Sequence, residues 1–195
     1  MTLGARDYGM SAGGSGWRFI SWRSLMTAAV MLMAMDAARA DTPLPQDQLF
    51  KSWTLICRKA PVVQEQGTTP APYCRIYHRV RAQEDNTKVL FISTVQFLGK
   101  DRTPMMFLTM PALANLQRGV TFQVDQSQVY RANIRVCTAE SCVSQFKLTD
   151  ELMKLFRNGT QASFTFGVNP QGDAKRDVPL AGFGAAMDAL QKTGY

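Results

Sequence analysis

The side chains through which this chain could do chemistry are few: four cysteines, Cys57, Cys74, Cys137 and Cys142, and a single histidine, His78. Cys137 and Cys142 enclose residues 138–141 between runs that alternate like strands. A thiol redox centre usually opens a helix with Cys-x-x-Cys, where the helix end lowers the thiol pKa. A structural zinc needs four ligands, commonly supplied in Cys-x2-Cys pairs, and no such pair occurs here. Nucleophilic hydrolysis requires an activated Ser or Cys beside a base. The Gly-x-Ser-x-Gly elbow is absent, and His78 shares a strand face with Cys74 and Ile76, which suits a half-buried, hydrogen-bonded imidazole. Gly182-Phe183-Gly184 lacks the third glycine and the βαβ setting of a nucleotide loop. Asp150 and Glu151 sit where a helix start favours acids. These residues give no catalytic set, no metal set and no reason to expect a cofactor.

What the cysteines do depends on where the chain resides. Arg6, Arg18 and Arg23 precede an apolar run at residues 25–35, and Ala38-Arg39-Ala40 follows it before Asp41. A basic region, a short apolar core and an Ala-x-Ala site describe a secretory signal peptide cleaved between Ala40 and Asp41. The run is too short for a membrane span, which takes about 20 apolar residues. The glycines at positions 13–16 fall in the removed segment and imply no phosphate site. Removal takes four of the 22 basic and two of the 15 acidic residues, so the net charge falls from +7 to +5. These charges are scattered, no block of them marks a nucleic-acid arm, and no nucleic-acid partner is expected. In an oxidising compartment an even cysteine count argues for disulfides, and four cysteines permit three pairings. Spacing favours the local pairs Cys57–Cys74 and Cys137–Cys142; two hairpin strands leaving the four-residue loop 138–141 would bring the latter pair within disulfide reach.

The elements that position these residues are short strands. Residues 41–49 read as a flexible, proline-containing leader, and a strand runs from Phe50 to Cys57. Residues 60–72 form a loop, and residues 73–81 alternate cleanly. Further strands are expected at 89–98, 105–110, 119–125, 129–137, 142–148, 162–168 and 176–180. Thr149 is placed to cap a short helix ending at Asn158-Gly159. Phe183, Ala186, Met187 and Leu190 define the buried side of a terminal helix. The expectation is a single mainly β domain, residues 50–195: a β-sandwich of the immunoglobulin-like two-sheet kind with one short internal helix and a C-terminal helix.

One strand face stands out as a surface. Tyr73, Arg75, Tyr77, Arg79 and Arg81 alternate with Cys74, Ile76, His78 and Val80, so aromatic and guanidinium groups share one side. These residue types anchor protein interfaces; a plain solvated sheet face competes with that role. Met105, Met106, Phe107 and Met110 form an apolar cluster that reads first as core.

The order of landmarks resembles the invasion-associated locus B (IalB) family. Trp53 and Cys57 are followed by Cys74-x-Ile76, then by a Met- and Leu-rich strand into Pro111. Gly119-Val120, Asp125, Cys137-x4-Cys142, Arg157-Asn158-Gly159 and Pro179-Leu180-Ala181-Gly182-Phe183 complete the set. The chain departs from the pattern at Pro111-Ala112-Leu113, where a glycine is usual. The resemblance implies a β-sandwich with two local disulfides, exported in a Gram-negative cell to the periplasm, the outer surface or beyond. It implies no enzymatic residues, no small-molecule substrate, and an unidentified envelope or host protein as partner, with a role in host-cell invasion where the organism is a pathogen. The competing expectations are an envelope hydrolase or thiol oxidoreductase, and an assembly factor that accepts a peptide on a sheet edge.

Overall fold

The computed structural model describes residues 44–59, 72–168, 170 and 172–195, all within the unit Pro43–Tyr195. The elements in chain order are β1 (Gln48–Phe50), β2 (Trp53–Lys59), β3 (Pro72–Arg81), β4 (Val89–Leu98), β5 (Thr103–Pro111), β6 (Val120–Val124), β7 (Tyr130–Ala132), β8 (Ile134–Cys137) and β9 (Ser141–Lys147), followed by α1 (Asp150–Asn158), β10 (Gln161–Val168), β11 (Gly172–Pro179) and α2 (Phe183–Lys192). They form a seven-stranded antiparallel sheet ordered β1-β2-β3-β4-β5-β9-β8 and a four-stranded one ordered β11-β10-β6-β7. This is the mainly β, two-sheet architecture with two helices that the strand spacing implies.

Alternation within each strand builds the core between the sheets. Phe91 of β4 meets Phe164 and Phe166 of β10 at centroid distances of 5.3 and 5.9 Å, and Phe122 of β6 stacks on Phe146 of β9 at 4.5 Å. The two helices extend this core. Thr149 caps α1, its hydroxyl accepting from the Leu152 amide at 3.3 Å, and Leu152 and Phe156 are buried. On α2, Phe183, Ala186, Met187 and Leu190 are buried, and Phe183 lies 5.5 Å from the Phe156 ring. Arg157 near the end of α1 reaches Asp188 of α2 at 2.8 Å.

The strand expected from Phe50 through Cys57 is two strands. β1 begins at Gln48, inside the stretch read as a leader, and turns back onto β2 through Lys51 and Ser52. Lys51 takes a positive φ of 53°, which breaks the extended run. The run expected at 129–137 is also divided: β7 pairs with β6 in the smaller sheet, and β8 pairs with β9 in the larger. The chain crosses between layers at Asn133, whose carbonyl accepts from the Ser144 hydroxyl at 2.9 Å. Ala132 and Ile134 are both buried, so the period-two pattern runs through the corner unbroken and conceals it.

The register places Cys57 opposite Cys74 and Cys137 opposite Cys142. Both pairs are disulfides, with Cα separations of 4.1 and 4.0 Å, and no described cysteine is free. By loop-closure entropy the bond spanning 17 residues contributes about 3 kcal/mol and the bond spanning five about 2. Cys57 and Cys74 are also both buried. The Cys57→Ala/Cys74→Ala pair is therefore expected to lower the urea midpoint further than Cys137→Ala/Cys142→Ala. Equal midpoints for the two double variants would contradict this ranking.

Candidate interaction surface

β3 lies inside the seven-stranded sheet, between β2 and β4, and shows a different chemistry on each side. Cys74 and Ile76 are buried towards the core. Tyr73, Arg75 and Tyr77 are half-buried on the outer side, and Arg79 and Arg81 are exposed there. Residues two apart on a strand share a face at about 7 Å, close enough for an Arg side chain to lie against the preceding Tyr. The Arg79 guanidinium sits 4.5 Å from the Tyr77 ring centroid, and that of Arg75 sits 5.8 Å from Tyr73. Such cation–π contacts contribute about 0.5–1 kcal/mol each at exposed sites and hold the side chains in place.

The neighbouring strands widen this face. Tyr77 is level with Thr94 of β4, which is level with Phe107 of β5. Arg79 begins a second row through Ile92, Thr109, Val143 and Val136. Val136 is 53% exposed, whereas the middle of the row is half-buried. On β2, Ile56 lies opposite Arg75, and Arg58 lies opposite Tyr73. Arg58 also grips Asp47 in a two-pronged ion pair of 2.6 and 2.7 Å. Hydrogen bonding from Arg58 holds the Asp47 carboxyl below its ordinary range. The strands of this sheet carry Arg58, Lys59, Arg75, Arg79, Arg81, Arg135 and Lys147 and not one Asp or Glu. The outer side of the smaller sheet presents Thr121, Gln123, Ser163 and Thr165 instead, with both Lys175 and Asp177 beside them.

The other candidates from the sequence are placed elsewhere. His78 faces inward; its Nδ1–H donates to the Ser52 carbonyl at 2.6 Å, and its ring lies 6.0 Å from Trp53. The register sets Ser93 beside it, but the Ser93 hydroxyl is fully buried and has no hydrogen-bond partner, so a substrate could not reach it. Asp150 and Glu151 occupy the first turn of α1, and Glu151 accepts from the Tyr130 hydroxyl at 2.9 Å. Gly182 precedes α2, with no βαβ unit around it. Among the described residues, no group of three or more His, Cys, Asp or Glu side chains is placed to hold a metal ion. Ala38, Ala40 and Asp41, the expected cleavage residues, lie outside the described residues.

The methionine cluster is divided by the strand. Met106 and Met110 are buried in the core, while Met105 and Phe107 belong to the outer face. Ile56, Arg58, Ile92, Phe107, Val143 and Lys147 were missed as members of the candidate surface. The opposition of Cys57 to Cys74 fixes the β2 register and could have shown which side Ile56 and Arg58 occupy. Nothing local to residues 89–147 signals which strands would line up beside β3.

The family landmarks meet in space. The Trp53 indole donates to the Pro179 carbonyl at 3.0 Å, and its ring packs edge-on against Phe183 at 5.0 Å. The Ser52 amide donates to Ala181 at 3.2 Å. Asp125 accepts from the Thr160 and Gln161 amides at 2.8 and 2.9 Å, tying β6 to the segment just past α1. Pro111-Ala112-Leu113 makes a turn without glycine, closed by the Ala114 amide on the Pro111 carbonyl at 3.1 Å.

Comparison with known proteins agrees with these landmarks. Residues 53–191 match the family described as invasion associated locus B (IalB) protein. An invasion protein B homolog of Brucella abortus (strain 2308) is 22% identical over 176 residues, covering 90% of this chain and 96% of the relative. A homolog from Brucella abortus biovar 1 (strain 9-941) gives the same figures. The crystal structure of invasion associated protein B from Bartonella henselae has the same fold, with a TM-score of 0.60 at 20% identity, over 76% of this chain and 97% of that one. From Trp53 to the last turn of α2, the chain belongs to the invasion associated locus B (IalB) family.

Proposed function

We propose that this chain is an exported, non-enzymatic protein of the cell envelope that works through contacts with an envelope or host protein, made by the outer face of the seven-stranded sheet. The observation that carries the reading is the Tyr73–Arg81 ladder, whose aromatic and guanidinium groups are already ordered against each other. Tyr and Arg are the residues on which interface energy concentrates. Two disulfides and the three-part pattern of residues 1–40 support export into an oxidising compartment. The invasion named in the Brucella and Bartonella relatives is proposed here only for an organism that enters host cells. Strand addition at an edge of the seven-stranded sheet is less favoured, because its edge strands β1 and β8 have three and four residues and offer few ladder groups.

Fractionation with intact-mass measurement tests export. The expected species begins at Asp41, leaves the cytoplasm, and is lighter than its reduced form by the hydrogens of two disulfides. A cytoplasmic chain retaining residues 1–40 would overturn the reading.

A further inference from the structure

We infer that the partner presents an acidic protein surface to this face, an inference that rests on the face being the contact surface. The charged residues on the strands of this sheet are all basic, and the one carboxylate described against the face, Asp47, is taken up by Arg58. Arg75 and Arg79 have cation–π partners but no carboxylate among the described residues, and the Arg75 Nε is buried without a hydrogen-bond partner. Strands without Asp or Glu repel basic partners and leave the Arg75 and Arg79 guanidinium groups without a carboxylate, the group they bind in pairs. The smaller sheet mixes both signs on β11 and carries no comparable bias. An anionic lipid surface would satisfy the charge but not the shape. Membrane-seated faces sink apolar side chains about 5–10 Å into the acyl boundary, whereas Ile92, Met105, Phe107 and Val143 are half-buried within the pleat. Shallow apolar positions ringed by Arg and Tyr instead match the anatomy of a protein interface.

The test places a photo-crosslinker, p-benzoylphenylalanine, in place of Phe107 or, as a control on the other sheet, of Thr121, in the full chain made by its own cell. Crosslinked peptides are read by mass spectrometry, with and without Arg79→Gln/Arg81→Gln. The expected result is an acidic partner peptide from the Phe107 position, with its yield falling about tenfold when the two guanidinium groups are removed. A neutral or basic partner peptide, a lipid adduct, or a yield indifferent to the Arg changes overturns the acidic-surface inference but leaves the face as a contact. Crosslinks from Thr121 alone overturn the contact surface itself.

Discussion

Gly182→Ala is expected to destabilise the domain by about 3 kcal/mol or more, from the left-handed backbone and the overpacking together. Gly182 precedes α2 with φ of 90°, a conformation that side chains with a Cβ rarely adopt. A Cβ there would overlap the Phe50 carbonyl, with the Lys51 side chain also close. Neither obstacle is the free end of a flexible side chain: the first is backbone, in the turn between β1 and β2. To relieve it, that turn must lift away from α2, losing the Ser52–Ala181 bond as it goes. For a domain of this size the corresponding fall in melting temperature is about 10 °C. An unfolding midpoint within experimental error of the parent would contradict the close approach described here.

Trp53→Ala should cost a similar amount, about 3–5 kcal/mol, because it empties the site of one of the largest buried side chains. Trp53 is fully buried, and its ring links the larger sheet to α2 through Phe183 and to β3 through His78. Its indole N–H also satisfies the Pro179 carbonyl. Trp53→Phe separates the two contributions. It retains much of the packing and gives up the hydrogen bond, so its cost should be smaller, about 1–2 kcal/mol. Urea titration of the three proteins checks the order: parent most stable, Phe next, Ala least. If the Phe and Ala variants lost equal stability, packing against Phe183 would not be the main contribution of this residue.

These two substitutions meet at one place. Landmarks more than a hundred residues apart, Trp53 and Pro179–Phe183, are a single clamp between the first hairpin and the last helix. Their common role is in packing and hydrogen bonding. Most strands were legible for a simple reason: one of their sides is buried, so residues such as Cys74 and Ile76 alternate with Arg75 and Tyr77. The Cys137–Cys142 bond was legible because a short hairpin loop brings its cysteines opposite each other, which leaves Cys57 and Cys74 for the other bond. Sheet membership was not. Ala132 and Ile134 keep the alternation through Asn133 while the chain changes layers, so periodicity carries no trace of the corner. Nor did the sequence show that Met105 and Phe107 would lie outside while Met106 and Met110 lie inside, because an all-apolar run has no polar residue to mark its outer side. The Tyr–Arg ladder was visible on β3 by itself. Its extension over Ile56, Ile92 and Phe107 depends on long-range register, which only the assembled sheet sets.

The proposed function places the protein's contacts on this outer face. The most direct measurement compares the parent with Tyr77→Ser/Arg79→Ser by in-cell crosslinking of envelope complexes, alongside urea unfolding of the purified proteins. Tyr77 is half-buried and packs against Arg79, so the variant should lose about 1–2 kcal/mol of stability yet remain folded. The crosslinked complex should fall about tenfold, as expected when an aromatic and an Arg anchor are lost together. A complex that persists at parental yield in the folded variant would contradict this outer face as the contact surface.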